Sequence, residues 1–310
     1  MVDILHNIGS TPLARLNCFS FQSNIYAKLE YLNPSGSLKD RIAHEMIHLA
    51  EKRGELKKGM RIMEATSGNT GISFAMVSAA LGYEFTAIMP ENVTKERRQM
   101  IGAFGGKVML TPAKEEMFGP VKRLAEMKKR ASEGKLKNVW FPSQFQNQDN
   151  PKSHLKTGQE LAAQLKKISK NADIDAFVMG VGTGGTLMGA GSFLKKKFKD
   201  VKIVAVEPSE SPVLSGGKPR HHEIQGIGEG FVPPIFNYDI VDEIIRVKSK
   251  DSIVAAREVA KKEGLLCGPS SGANILACLE LQQRREFRNK NILTILCDRG
   301  ERYLSTGIWK

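Results

Sequence analysis

Long apolar runs, paired cysteines and aromatic-basic interleaving of the kind that stacks bases are all missing from this 310-residue chain. No stretch approaches the ~20 consecutive apolar residues of a membrane helix. The opening Met1-Val2-Asp3 has no basic-then-apolar leader, so the sequence predicts a cytoplasmic protein. Cys18, Cys267, Cys278 and Cys297 are scattered with no C-x-x-C pair. That pattern argues against a zinc ribbon or a disulfide scaffold and predicts reduced, mostly buried thiols. At 7% aromatic content there is little from which to build a base-stacking surface. The excess of 46 basic over 33 acidic residues, +13, therefore needs another explanation. Lys128-Lys129-Arg130, Lys166-Lys167, Lys195-Lys196-Lys197 and Arg284-Arg285 fall within or near the ends of predicted amphipathic helices, where cations meet the negative end of the dipole. Solvated helix faces account for the charge better than nucleic acid, and an anionic small substrate is easier to accommodate.

What is present suits a soluble α/β protein of two domains or one large one, because single cores stop growing near ~250-300 residues. Strand-like runs at Ile25-Leu29, Arg61-Glu64, Glu84-Met89, Lys107-Leu110, Ala176-Met179, Lys202-Val206 and Ile292-Leu296 alternate with helical stretches such as Ile42-Arg53 and Ile253-Glu263. Such alternation predicts parallel sheet with crossover helices. The polar, proline-containing stretch from Phe141 to Pro151 is the expected domain junction.

Three motifs and one lysine carry the chemistry. Lys39 stands in the small-residue loop Asn33-Pro34-Ser35-Gly36-Ser37-Leu38-Lys39-Asp40-Arg41, where a lysine can hold an aldehyde as a Schiff base or simply close a turn. Glu64-Ala65-Thr66-Ser67-Gly68-Asn69-Thr70-Gly71 follows a strand and opens a helix over Ile72-Leu81. Unpaired N–H groups at such a start bind a carboxylate or phosphate. Gly180-Val181-Gly182-Thr183-Gly184-Gly185-Thr186, before a helix beginning near Leu187, satisfies G-x-G-x-x-G, with Glu207 at the spacing of a ribose-binding acid. A nicotinamide-dependent dehydrogenase is thus a rival reading, although Gly184 and the flanking threonines make a tighter cup, suited to one phosphate monoester. His44-Glu45-Met46-Ile47-His48 is a literal H-E-x-x-H, but no third ligand follows, so it reads as a chance match with no metal.

A reactive lysine, a carboxylate-binding helix start and a phosphate cup together describe pyridoxal 5'-phosphate handling an amino acid. At this point the chain resembles the cysteine synthase (O-acetylserine sulfhydrylase) and cystathionine β-synthase family of fold type II pyridoxal-phosphate enzymes. The resemblance runs from Ile8-Gly9-Ser10-Thr11-Pro12-Leu13 to Cys297-Asp298-Arg299-Gly300-Glu301-Arg302-Tyr303-Leu304-Ser305. It implies an α/β fold like that of tryptophan synthase β, with two twisted, mainly parallel sheets flanked by helices. A smaller mobile domain would span residues 41–145 and a larger one residues 1–40 plus 146–310. Lys39 would be the Schiff-base lysine, Asn69 the partner of the cofactor's phenolic oxygen, and Gly182, Thr183, Gly184, Gly185 and Thr186 the phosphate site. Ser270 would face the pyridine nitrogen. Thr66, Ser67, Gly68 and Thr70, with Gln144 and Gly228, would hold the substrate.

The implied reaction is β-replacement, forming L-cysteine from O-acetyl-L-serine and sulfide through an α-aminoacrylate, with Lys39 moving the Cα proton. A homodimer and a serine acetyltransferase partner are also implied. The chain departs from the family's branches in two places. Glu229 stands where a small residue is usual, and Arg220 lies in Pro219-Arg220-His221-His222. Glu229 is either a solvated loop acid or a carboxylate that activates serine or water, which would favour cystathionine β-synthase or cysteine desulfhydrase activity. Arg220 is either a surface cation or a phosphate-recognising group for O-phosphoserine.

Overall fold

The computed structural model describes residues 3–169 and 172–310. Met1 and Val2, on which part of the expectation about the opening rests, lie outside the described residues. The chain runs β1 (Leu13–Arg15), β2 (Asn24–Leu29), α1 (Lys39–Lys52), β3 (Arg61–Ala65), α2 (Asn69–Leu81), β4 (Glu84–Pro90), α3 (Lys95–Ala103) and β5 (Lys107–Thr111). It continues through α4 (Phe118–Ser132), β6 (Val139–Trp140), α5 (Asp149–Ile168), β7 (Ala176–Gly180) and α6 (Gly185–Lys197). Last come β8 (Lys202–Pro208), β9 (Glu243–Val247), α7 (Ser249–Glu263), α8 (Pro269–Gln282) and β10 (Asn291–Leu296).

Two sheets result. One has the order β1-β2-β10-β7-β8-β9 and the other β5-β4-β3-β6. Every pairing is parallel except β1 with β2. Central strands β7 and β10 are buried along their whole length, as strands covered on both faces must be. On one face of the larger sheet Val178 and Val204 pack against Val259 of α7 and Ile275 of α8. On the other, Phe177 and Ile203 pack against Leu161 of α5 and Leu194 of α6. The smaller sheet is covered by α1, α2 and α3 through Ile42, Ile72 and Ile101, and by α4 through Leu124 and Met127.

The strands anticipated from periodicity are all present. Three others give no signal of their own: β1 has three residues, β6 has two, and β9 lies at a sheet edge with an interrupted pattern. Helices α1 and α2 both begin three residues earlier than their apolar periodicity suggests. Lys39 and Asn69 are consequently first-turn residues, not loop residues. The basic clusters of α4, α5 and α6 occupy last turns.

Behind α1 lies a buried charge network. Arg41 donates to Glu30 and Glu160, both at 2.7 Å, and Lys28 pairs with Glu160 at 2.8 Å. Burial pushes the Glu30 carboxyl up, but Arg41 and then Lys28 overcome it and hold it at about 2. These contacts tie β2, α1 and α5 together and fix the helix start that carries Lys39.

Candidate active site

Lys39 emerges where two chain segments are stitched together. Leu38 N–H donates to the Cys297 carbonyl at 2.9 Å, and Ser37 bridges Asp298. The side chain enters a cavity whose wall includes Thr66, Ser67, Asn69 and Thr70 on one side and Gly182, Thr183, Gly184 and Thr186 on another, with Gln144, Ser270, Cys297 and Glu229. Burial holds the Lys39 amine below its ordinary value, against the opposing pull of Cys297, Glu229 and Asp298. A desolvated amine of this kind is held toward its neutral, nucleophilic form. Burial also pushes the Cys297 thiol up to about 12, so it is a poor competitor for an electrophile.

The loop before α2 is braced from within. Thr66 Oγ1 accepts the N–H groups of Gly68 and Gly71 at 3.0 and 3.2 Å. Thr70 donates to Gln144 Oε1 at 2.7 Å, and Gln144 Nε2 donates to the Ala65 carbonyl at 2.8 Å. Ser67 and the first amides of α2 are left as the donors available to a carboxylate. Gly68 is needed for close approach, because a Cβ there would lie 2.6 Å from Arg97 Nε.

The second wall is built from glycine and hydroxyl residues. Asn274 Oδ1 accepts the Gly180 N–H at 2.7 Å and fixes the end of β7. Thr183 Oγ1 accepts from Asn150 at 3.0 Å and from the Gly185 N–H at 3.3 Å. The first bond closing α6 is Met188 N–H to the Gly184 carbonyl at 2.9 Å, which leaves earlier amides of the turn without helical partners. Thr186 Oγ1 sits 3.2 Å from His154 Nε2, and burial drives that imidazole down to about 3, so it is neutral.

Some anticipated residues lie elsewhere. Gly68, Gly185 and Gly228 shape the loops without lining the cavity; Gly185 packs on Asn150, and Gly228 donates its N–H to the Val181 carbonyl at 3.0 Å with φ +69°. Arg220 is exposed and lines neither this cavity nor the vestibule outside it. Glu229 is not a solvated loop acid: it lines the cavity, and burial raises its carboxyl while Lys39 and Arg97 pull it down. Glu207 is buried and accepts from Leu214 N–H at 2.7 Å and Ser215 N–H at 3.1 Å, so it staples its own loop rather than offering a ribose partner. His44 and His48 stack at 6.5 Å on α1, and no cluster of metal-ligating groups exists among the described residues.

The model of a protein family described as "Pyridoxal-phosphate dependent enzyme" matches residues 4–298. The chain belongs to this family. It is 46% identical over 305 residues to a probable cysteine synthase of Bacillus subtilis, covering 97% of this chain and 96% of that one. Among solved structures, a cysteine synthase from Entamoeba histolytica superposes with a TM-score of 0.93 at 40% identity, covering 100% of this chain and 90% of that one. An O-acetylserine dependent cystathionine β-synthase from Helicobacter pylori superposes with a TM-score of 0.91 at 35% identity, covering 100% and 99%.

The pyridoxal-phosphate family's cofactor can be tested against the residues present. A Cβ on Gly182 would fall 2.5 Å from the Gly226 carbonyl oxygen, so only glycine lets the two backbones form this cradle. With free helix-start amides, two threonine hydroxyls and a desolvated amine beside it, the cavity fits a phosphorylated aldehyde.

Sequence reasoning missed Arg97, His154, Asp298 and Tyr303 as site residues. Arg97 lies in the charged run Lys95-Glu96-Arg97-Arg98, which reads as a solvated helix face. It is only 3% exposed, donating to the Ser67 carbonyl at 3.0 Å and to Tyr303 at 3.1 Å. No local pattern reveals such a residue, because its partners are up to 206 positions away.

Proposed function

We propose that the chain is a cysteine synthase, which replaces the acetate of O-acetyl-L-serine by sulfide and releases L-cysteine. The observation that carries this reading is the meeting, in one cavity, of a neutral-leaning lysine, a helix start suited to a carboxylate and a glycine cradle suited to a phosphate. Lys39 would hold the cofactor's aldehyde carbon, Gly182 to Thr186 its phosphate, Asn69 its ring oxygen and Ser270 its ring nitrogen. When bound, pyridoxal phosphate supplies an electron sink that makes the amino acid's Cα proton acidic and its β-substituent able to leave.

The chain's own groups do the rest. Ser67 and the first amides of α2 bind the α-carboxylate, while Thr66, Thr70 and Gln144 keep that loop in shape. Lys39 Nζ takes the proton from Cα and later returns it. We assign residues 41–145 to a smaller unit that closes on residues 1–40 plus 146–310 and excludes water. In support, strands β3 to β6 all fall within the first range. The chain is further proposed to act as a cytoplasmic homodimer and to accept a serine acetyltransferase as partner.

Glu229 favours a second reading in the same site. A half-buried carboxyl that lines the cavity with Lys39 can protonate a hydroxyl leaving group or take a proton from water or a thiol, as serine-dependent cystathionine formation or cysteine desulfhydration requires. Arg220 lends no such support to O-phosphoserine.

The test is steady-state turnover of pyridoxal-phosphate-loaded protein with O-acetylserine, O-phosphoserine, serine and cysteine as first substrates. Cysteine formation should be fastest from O-acetylserine and sulfide, and Lys39→Ala should abolish it along with the protein's yellow colour. A wild-type protein that stays colourless with the cofactor, or that turns over serine or cysteine faster, would overturn the first reading.

A further inference from the structure

Asn69 lines the cavity, and its amide is held between two groups of opposite hydrogen-bonding character that stand behind it. Its Nδ2 donates to Asp298 Oδ2 at 2.7 Å, and its Oδ1 accepts from Arg302 Nη1. A guanidinium only donates and a carboxylate only accepts, so these neighbours permit one orientation of the amide and exclude its flip. Asp298 and Arg302 are themselves fixed. Tyr303 OH donates to the same Asp298 oxygen at 2.6 Å, Arg97 donates to Tyr303 OH at 3.1 Å, and Arg302 reaches the Ser35 carbonyl. Both residues are at most 3% exposed, so neither has water with which to exchange partners.

An amide nitrogen carries two protons. Asp298 takes one, and no other acceptor among the described residues takes the second. The carbonyl oxygen, by contrast, is turned back toward Arg302. The cavity therefore meets Asn69 as a donor and never as an acceptor, which an unclamped asparagine would not guarantee.

We infer that Asp298 and Arg302 are positioning residues that lock Asn69 as a hydrogen-bond donor toward the electron-rich ring oxygen of the cofactor. The inference rests on the proposed pyridoxal-phosphate reading and extends it to residues that do not line the cavity. The clamp also crosses the molecule. Asn69 opens α2 of the smaller sheet, whereas Asp298 and Arg302 follow β10 of the larger one. The contact that sets the donor thus also sets where the carboxylate loop lies relative to Lys39.

Two variants separate positioning from folding. Asp298→Asn keeps the shape of the partner but removes its acceptor-only carboxylate, so that Arg302 alone opposes the flipped pair in which Asn69 turns its oxygen to the cavity. The exchange Asn69→Asp with Asp298→Asn restores an N–H···O contact between the two positions yet leaves an acceptor facing the cavity. Both proteins are titrated with pyridoxal phosphate by fluorescence, their visible absorption is followed across pH, and their thermal unfolding is recorded. Asp298→Asn should weaken cofactor binding about tenfold and displace the absorption band or its pH midpoint. The exchange should recover the unfolding temperature while binding and absorption stay defective.

Wild-type binding and absorption in Asp298→Asn, or their restoration by the exchange, would overturn the clamp and leave the cofactor reading standing. Unfolding of both variants would assign Asp298 to the fold alone and overturn the clamp as well. Failure of the wild-type protein to bind pyridoxal phosphate overturns both.

Discussion

Gly182→Ala separates steric fit from backbone strain in the phosphate cradle. Gly182 has no positive φ, so alanine suits its backbone. Its Cβ, however, would lie 2.5 Å from the Gly226 carbonyl oxygen and 3.4 Å from the carbonyl carbon. Unbonded heavy atoms settle at ~3.5–4.0 Å, so one of two backbones must yield by roughly 1 Å. Neither yields easily. Gly226 already has φ +99°, and Gly228 just beyond it is tied to the Val181 carbonyl at 3.0 Å. Overpacking of this sort costs about 1–3 kcal/mol, or about 5–150-fold in an equilibrium. If the loop relaxes before the cofactor arrives, the cost falls on cofactor affinity; if it does not, it falls on stability. Fluorescence titration with pyridoxal phosphate and urea unfolding of the cofactor-free protein measure the two losses, which together should reach that range. Gly184→Ala is the companion: φ +84° but no neighbour closer than 3.7 Å, so its cost should be the ~1–2 kcal/mol of left-handed backbone alone. A Gly182→Ala protein with affinity and stability both within about 0.5 kcal/mol of wild type would refute the steric argument.

The desolvated Lys39 amine should make capture of pyridoxal phosphate by cofactor-free protein accelerate through a midpoint below pH 10.5, its ordinary value; a stopped-flow midpoint at or above that value counts against it. Burial raises the Glu64 carboxyl from 4.5 to about 7, against the N–H groups of Gln144 and Ala65. The folded protein then holds this proton more tightly than the unfolded one. The group's contribution is accordingly full below pH 4.5 and declines by about 3 kcal/mol as pH climbs to about 7. Urea titrations should show wild-type stability falling by that order relative to Glu64→Gln over this window, and parallel pH curves would contradict it. Arg220→Ala should leave kcat/KM for O-acetylserine and O-phosphoserine within about twofold of wild type, because the side chain is exposed outside the cavity; selective loss of O-phosphoserine use would restore Arg220 as a substrate contact.

How far the sequence could be read depended on whether a signal was local. Strands β7, β8 and β10 announce themselves as short apolar runs, and the glycine and threonine motifs lie where a strand gives way to a helix, so their placement follows from period and turn chemistry. The short strands β1 and β6 have too few residues for a period, and they exist because β2 and β3 offer unpaired edges. Glu229 and Arg220 show the same limit at the site. Both are charged residues in one irregular stretch, indistinguishable by pattern, yet one lines the cavity and the other faces solvent. Arg97 and Asp298 were invisible for a further reason: charge pattern reads a charged residue as exposed, and only long-range pairing makes its burial tolerable.

The placement of helix starts explains how the site can hold anions while drawing its lysine toward the neutral form. Lys39 opens α1, Asn69 and Thr70 open α2, Thr186 lies in the first turn of α6, and Ser270 in that of α8. All line one cavity, which therefore lies at the positive ends of four helices. Carboxylate and phosphate can be bound there by amides and hydroxyls, with Lys39 and Arg97 the only basic side chains in the wall among the described residues. The same positive ends disfavour a protonated amine and so act with burial on Lys39. The protein's +13 charge is then of little use at the site. Its basic clusters lie at the opposite ends of α4, α5 and α6, where they complement the negative poles. Adding a lysine to the cradle would strengthen the hold on phosphate by charge, but it would also supply a second amine to compete with Lys39 for the aldehyde. A phosphate site made of glycine, threonine and helix start avoids that competition, which is why the cradle and the reactive lysine can share one small cavity.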